Sequence, residues 1–187
     1  MHDDLEKSKE VLISGGTILF PHDTIWSIGC DATNARAVDK IFRIKLKLSH
    51  KSLIILANSI EMIAGYVAEV PDSAADLMMS FKDSITFVYD NVRNIARNVI
   101  DEDGTVGIKI PKDEFCLQLI TMLGRPISSS TANISGDQCP VSFNKINPKI
   151  KAEVDYICKT NHESINTMQS STIIRMSKDG NIEIVRT

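Results

Sequence analysis

A cluster of basic residues marks one short part of the chain as a candidate anion-binding site. Between residues 36 and 51 only Asp39 opposes it, although the whole chain has a net charge of −3. Four members, Arg36, Lys40, Arg43 and Lys47, recur at spacings of four, three and four and so share one helix face. Lys45 and Lys51 lie beside them. One explanation of this basic cluster is a helix face that is exposed to solvent. The other explanation is that Lys45, Lys47 and Lys51 converge on one phosphate group, because the basic residues continue beyond the predicted helix.

Two further stretches are rich in hydroxyl and amide side chains. "FPHDTIWSIGCDATN", residues 20–34, is interpreted as a loop between a strand and the basic helix, in which Trp26 serves as core or as the apolar wall of a site. "SSSTANISG", residues 128–136, is either an ordinary turn or a polar cradle for a ligand. A G-x-S-x-G motif is lacking, so the serines are not indicated as nucleophiles.

Metal-binding and export patterns are missing from the sequence. The four cysteines contain no C-x-x-C pair and the four histidines no H-x-x-x-H pair, so a protein-bound metal site is not predicted. The acidic start "MHDDLEKSKE" does not resemble a secretory signal, and no apolar run reaches the ~20 residues of a membrane span. The expectation is therefore a cytoplasmic protein without membrane contact, folded as one domain over residues 1–187.

The elements that must position these groups are short strands and helices in irregular order. Strands are predicted over residues 16–20, 52–56, 84–89 and 104–110 and in "RPISSS", "VDYIC", "STIIR" and "NIEIVR". Helices are predicted over residues 6–14 and 72–80, after a cap at Asn34, and from Asp113 to a stop at Gly124. Because strands outnumber helices without strict alternation, the predicted fold class is α/β, with a twisted, mostly mixed sheet flanked by helices.

Taken in order, four stretches resemble the motifs of the YrdC/TsaC-like threonylcarbamoyl-adenylate synthases. These are "PHDTIWSIGCDATN", "KLKLSHKSLIIL", "GIKIP" and "SSSTANISG", and they span nearly the whole chain at similar separations. The resemblance implies a YrdC-like fold with a basic concave cavity. It also implies a nucleotidyltransferase that joins L-threonine, bicarbonate and ATP, with Mg²⁺ on the phosphates, into threonylcarbamoyl-adenylate and pyrophosphate. A downstream transferase complex then passes the threonylcarbamoyl group to a tRNA adenosine.

The resemblance also assigns roles to individual residues. Lys47, Lys51 and Asn133 are expected near ATP, with Thr105 and Arg186 as further candidates. Thr24, Lys109, Thr131 and Ser171 are expected to face L-threonine. Lys45 and Lys47 are expected to neutralise charge during catalysis. Because threonine supplies its own nucleophile, the protein mainly positions substrates and balances their charge.

Several motif positions differ from the family pattern. Lysine replaces arginine at Lys47 and Lys109, and the other departures are His22, Ser27, Leu48 and Asp83. Lysine keeps the charge but loses the two-pronged donor geometry of arginine, at a cost of about 1–3 kcal/mol for a charge-assisted hydrogen bond. The departures leave an alternative open, namely a YrdC-like paralogue that binds nucleotide or double-stranded RNA without synthase activity.

Overall fold

The computed structural model describes residues 1–23, 25–46, 53–81, 85–160, 162, 172–176 and 182–186. Six α-helices lie within these ranges: α1 His2–Ile13, α2 Ala35–Ile44, α3 Ile60–Ala64, α4 Asp72–Ser80, α5 Glu114–Leu123 and α6 Pro148–Glu153. The strands are β1 Thr17–His22, β2 Ile25–Asp31, β3 Ile54–Leu56, β4 Ile85–Tyr89, β5 Val106–Lys109, β6 Ile127–Thr131, β7 Tyr156–Ile157, β8 Thr172–Met176 and β9 Ile182–Arg186. Short 3₁₀ turns occupy Arg97–Val99 and Phe143–Lys145.

The strands form one mixed sheet in the order β7-β1-β2-β6-β3-β5-β4-β8-β9. Five neighbouring pairs are antiparallel: β1–β2, β2–β6, β3–β6, β4–β5 and β8–β9. Three are parallel: β1–β7, β3–β5 and β4–β8. The predicted α/β fold class with a mixed sheet is therefore confirmed. No helix in the described ranges combines the length and apolar character needed to cross a membrane.

The two helices that flank the candidate motifs form for local reasons that the sequence predicts. Asn34 caps α2, because its Oδ1 accepts from the N–H groups of Arg36 and Ala37 at 3.1 and 3.2 Å. Asp113 caps α5 in the same way through the N–H of Cys116 at 2.8 Å. The α5 helix ends at Gly124, whose φ of +68° lies in the left-handed region that glycine adopts without strain. Both helices bury an apolar stripe against the sheet.

The interpretation of residues 20–34 as a loop is wrong. Six residues of β1 pair with β2 through a tight turn, and Asp23 in that turn has a φ of +46°. The polar residues of β2 obscured its strand character. Ser27 and Asp31 are both buried but have polar partners, Ser27 with a histidine and Asp31 with the Thr33 N–H and hydroxyl. Trp26 is 1% exposed, so its role is core packing.

Candidate functional site

The buried ammonium group of Lys45 organises the loop that follows β6. Lys45 is the C-cap residue of α2 and is only 4% exposed. Its Nζ donates to the carbonyl oxygens of Thr131 and Asn133, the latter at 2.7 Å, and to Asn133 Oδ1 at 3.1 Å. Its own carbonyl accepts from the N–H of Ser135 at 2.9 Å. A buried cation needs such a set of oxygens, so Lys45 holds the loop in place as well as carrying charge.

The rest of the loop, residues 131–137, is closed by further hydrogen bonds. Asn133 Nδ2 donates to the carbonyl of Asp137 at 2.7 Å, and the N–H of Asn133 donates to the carbonyl of Thr131 at 2.9 Å. Both ends of the Asn133 amide are therefore engaged within the protein. The half-buried Thr131 differs, because its hydroxyl makes no hydrogen bond to any other residue of the described ranges. The Thr131 hydroxyl is thus available to bind a ligand.

A second polar cluster surrounds Asp23, in the turn between β1 and β2. Asp23 Oδ2 accepts from the buried Lys109 Nζ at 2.8 Å, and Oδ1 accepts from the N–H of Lys112 at 3.0 Å. The N–H of Asp23 donates to Asp113 Oδ2 at 3.1 Å. Asp23 therefore ties the end of β5 and the start of α5 to this turn. Lys109, predicted to face threonine, lies in this cluster with its charge balanced by Asp23.

His22 is buried beside this turn and is uncharged near neutral pH. Burial is the main reason that the pKa of its imidazole is lowered to about 3; the nearby Lys109 lowers it further, and Asp23 opposes both. Its Nδ1 lies 3.4 Å from Ser27 Oγ on the opposing strand. Burial also raises the pKa of the Cys116 thiol well above its usual value, so this neighbouring group is protonated near pH 7.

The β1–β2 hairpin joins the two clusters. Ser27 stands opposite Thr131 in the β2–β6 register, and its hydroxyl is in hydrogen-bonding range of His22. The turn that closes this hairpin contains Asp23 of the Asp23–Lys109 pair, and Ser27 on β2 stands opposite the first residue of the Lys45 loop. The arrangement combines lysine cations with hydroxyl and amide groups, a donor set that suits a phosphorylated substrate and a carboxylate.

The remaining predicted site residues are placed differently or are outside the described ranges. The hydroxyl of Thr105 donates to Asp103 Oδ1 at 2.6 Å before β5 begins, at the other end of that strand from Lys109. The backbone of Arg186 pairs with Ile173 in the edge strand β9. Thr24, Lys47, Lys51 and Ser171 lie outside the described residues, as do the departures at Leu48 and Asp83. Their roles stay predictions.

On the basic helix face, Lys40 is engaged by an acid. Its Nζ lies 2.6 Å from both oxygens of Asp155, which also accepts from the N–H and hydroxyl of Thr17. Arg36 and Arg43 are exposed. The face therefore carries less available charge than its sequence indicates.

Sequence reasoning missed the roles of two acids. Asp23 was included only within the polar stretch of residues 20–34 and Asp113 only as the start of a helix, yet both fix the geometry around Lys109. The available signal was their position, since each follows a strand at a turn.

A mixed sheet whose strand ends present a lysine-held, hydroxyl-rich loop and a buried lysine–aspartate pair defines a YrdC-like α/β domain. The chain belongs to the Sua5/YciO/YrdC family, whose model, described as telomere recombination, matches residues 10–187.

Relatives of similar length carry one common name, threonylcarbamoyl-AMP synthase. The protein from Xanthomonas euvesicatoria pv. vesicatoria is 25% identical over 182 residues, which cover 96% of each chain. The protein from Saccharophagus degradans is 30% identical over 133 residues, or 71% of this chain and 70% of the relative.

Solved structures agree on the fold. The structure of Pyrococcus abyssi Sua5 complexed with L-threonine is similar to this chain, with a TM-score of 0.87 and 25% identity. The similar region covers 97% of this chain but 53% of Sua5, so the chain spans about half of that protein. E. coli YciO, with a TM-score of 0.83 and 20% identity over 100% of this chain and 89% of its own, shows the same fold.

Proposed function

We propose that this protein is an L-threonylcarbamoyl-adenylate synthase. The observation that carries the proposal is the loop of residues 131–137, in which a buried lysine fixes the backbone and leaves the Thr131 hydroxyl available. The names of the full-length relatives and the L-threonine complex of Sua5 support it.

The reaction needs no covalent enzyme nucleophile. The amine of threonine attacks carbon dioxide derived from bicarbonate and loses a proton to form a carbamate. A carbamate oxygen then attacks the α-phosphorus of ATP, the bond from this phosphorus to the bridging oxygen breaks, and pyrophosphate leaves. Aligning the reactants and balancing phosphate charge are the main contributions that a protein makes to such a transfer. Mg²⁺ enters as part of the MgATP substrate.

The proposed roles are those that the resemblance to the family implies. Lys47, Lys51, Asn133, Thr105 and Arg186 are proposed to bind ATP, while Lys45 holds the loop of residues 131–137 and adds positive potential. Thr24, Lys109, Thr131 and Ser171 are proposed to bind L-threonine. Within the ATP group, the Thr105 hydroxyl is engaged by Asp103, and the Asn133 amide is engaged by Lys45 and the Asp137 carbonyl.

The product is a mixed anhydride, which water hydrolyses readily, so a second enzyme must consume it promptly. We infer that this enzyme is a threonylcarbamoyl-transferase complex acting on tRNA in the cytoplasm. Contact between this chain and tRNA belongs to the same proposal.

Pyrophosphate release tests the proposed reaction. The 187-residue chain is mixed with MgATP, L-threonine and bicarbonate, and pyrophosphate and threonylcarbamoyl-AMP are both measured. Release that requires both threonine and bicarbonate is expected, and D-threonine serves as the matched substrate control. If a known synthase works in the same buffer while this chain releases nothing threonine-dependent, the proposal is wrong.

A second candidate, nucleotide or double-stranded RNA binding without turnover, rests on the two exposed arginines of α2. An Arg36→Gln, Arg43→Gln double variant separates the two candidates. An RNA-binding protein would lose salt-dependent affinity for an RNA duplex in this variant, whereas a synthase would keep its threonine-dependent turnover.

A further inference from the structure

Three potential metal ligands meet where β1 approaches α5. They are His22 at the end of β1, Asp113 at the cap of α5 and Cys116 in its first turn. Each residue offers one potential ligand atom: a ring nitrogen of His22, a carboxylate oxygen of Asp113 and the thiol sulfur of Cys116. These three atoms lie within 4.8 Å of one another. His22 and Cys116 are buried and Asp113 is half-buried. Sequence spacing gave no indication of this set, because His22 lies 91 positions before Asp113 and 94 positions before Cys116.

Protein contacts engage Asp113 and Cys116, but they leave one ring nitrogen of His22 without a hydrogen-bond partner in the described ranges. Asp113 caps a helix and accepts from Asp23, and Cys116 Sγ lies 3.8 Å from the carbonyl of Pro21. The His22 side chain is 4% exposed, and its Nε2 is a buried atom with no hydrogen-bond partner in the described ranges. Asp23 Oδ2, 3.4 Å away, already accepts from Lys109. An unpaired buried polar group costs about 1–3 kcal/mol, so a ligand is indicated at this nitrogen.

We propose that His22 Nε2, Asp113 and Cys116 Sγ bind a divalent transition-metal ion, with Zn²⁺ the best match. Imidazole, thiolate and carboxylate are its usual donors, whereas Mg²⁺ and Ca²⁺ prefer all-oxygen sets. Bond lengths of about 2.0–2.3 Å imply tetrahedral ligand separations of roughly 3.3–3.8 Å. Since the ligand atoms of the three residues lie within 4.8 Å of one another, each pair has to approach by no more than about 1.5 Å, and a water molecule completes the fourth position.

The neighbouring groups suit this assignment. With the metal on Nε2, the Nδ1–H of His22 faces Ser27 Oγ at 3.4 Å, the kind of outer hydrogen bond that orients metal-bound histidines. The Cys116 thiol releases its proton to solvent on binding. The resulting thiolate and the Asp113 carboxylate then balance the two charges of the ion, while Lys109 and Asp23 balance each other.

Occupancy would connect the β1–β2 turn to α5. Asp113 also accepts from the N–H of Asp23, so a metal bound to Asp113 would fix the turn that holds Lys109. This ion is distinct from the Mg²⁺ that arrives with ATP. Its binding can be measured without any assay of turnover, so its failure and that of the proposed function are distinguishable.

Cobalt absorption and zinc competition test the site on the reduced, metal-free 187-residue chain. Co²⁺ is expected to bind one per chain with a thiolate charge-transfer band in the near ultraviolet. Zn²⁺ is expected to displace Co²⁺ and to raise the Tm, which Mg²⁺ alone does not do.

Variants then identify the ligands. Cys116→Ser is expected to abolish the cobalt band, and His22→Thr and Ser27→Ala to weaken Zn²⁺ affinity by at least about tenfold. Cys139→Ser removes a half-exposed thiol outside the set and serves as the matched control, with no change expected. Circular dichroism verifies that each variant is folded.

The proposal is overturned if the folded wild-type chain binds neither ion at one equivalent. It is equally overturned if the cobalt band survives Cys116→Ser or is lost in Cys139→Ser.

Discussion

The ammonium group of Lys109 donates a 2.8 Å hydrogen bond to Asp23 Oδ2, which ties the end of β5 to the turn between β1 and β2. Both side chains are largely shielded from water. A substrate carboxylate at this point has to share Lys109 with Asp23, because an ammonium group is a compact donor without a second prong. The presence of lysine at a motif position where the family has arginine therefore limits how many carboxylates this side chain can bind at once.

Changing Lys109 to arginine is expected to raise kcat/KM for L-threonine. The guanidinium can donate to Asp23 and still offer further N–H groups to the substrate, a gain of about 1–2 kcal/mol or roughly tenfold. Steady-state pyrophosphate release at varied threonine measures this. A Lys109→Arg variant that folds normally but shows unchanged or lower kcat/KM would contradict the assignment of Lys109 to threonine.

Removing the Lys109 charge is expected to destabilise the protein. Lys109→Met removes the ammonium group that balances the charge of the poorly solvated Asp23 carboxylate, at a cost of about 3 kcal/mol. Urea unfolding measures this loss. Lys112→Met is the matched control, since it removes the same charge three residues away while its backbone N–H still binds Asp23. Equal losses in the two variants would show that the ion pair is not the cause.

Changing Lys45 to methionine is expected to reduce both stability and turnover. The variant keeps the length of the side chain but leaves the carbonyls of Thr131 and Asn133 without their donor, which costs about 2–3 kcal/mol. The loop then loses its fixed geometry, and KM for ATP is expected to rise.

The Lys40→Met variant provides the control for Lys45. Lys40 lies on the same helix but forms a partly exposed ion pair with Asp155, worth about 0–1 kcal/mol. Urea unfolding and pyrophosphate release are compared for the two variants. A Lys45→Met protein with wild-type stability would refute the structural role of Lys45.

Changing Thr131 to valine is expected to affect substrate binding without affecting folding. Its hydroxyl makes no hydrogen bond to the described parts of the protein, so the free energy of unfolding should stay within about 0.5 kcal/mol of wild type. Loss of one hydrogen bond to the substrate should raise the KM for L-threonine by about tenfold. Ser130→Ala removes the neighbouring hydroxyl, which points to the other face of β6, and should leave KM unchanged.

The sequence predicted the fold class and the local elements around the motifs for identifiable reasons. Asn34 and Asp113 are side-chain N-caps, so α2 and α5 begin where local chemistry requires, and the left-handed Gly124 ends α5. The helix over residues 72–80 was also predicted. Strand β2 was missed, because the contact of Ser27 with His22 and the ion pair of Asp31 with Arg125 form only once neighbouring elements are in contact.

The candidate site was predictable only as separate motifs. Lys45, Thr131 and Asn133 were each assigned to it, but the contact among them depends on tertiary structure over more than 80 residues. The same limit applies to Asp23 with Lys109. Long-range pairing depends on how the sheet folds, and spacing along the chain does not contain that information.

Acid is expected to destabilise the protein through Asp4, in the first turn of α1. Burial raises the pKa of this carboxyl, but hydrogen bonds from the N–H groups of Lys159 and Thr160 and from the hydroxyls of Thr160 and Tyr156 outweigh burial and hold the pKa at about 2. Because this is below the ordinary value of 3.8, the stabilisation is complete above about pH 4 and is lost as the pH falls to about 2. The Asp4 side chain is only 4% exposed, and its charge contributes about 1–2 kcal/mol to stability at neutral pH. Urea unfolding of the Asp4→Asn variant should show a free energy of unfolding lower by this amount at pH 7 and equal to that of wild type near pH 2. The control is Asp3→Asn, at an exposed neighbouring position, which should follow wild type at every pH. A deficit for Asp4→Asn that is independent of pH would show that the charge of Asp4 is not what stabilises the fold.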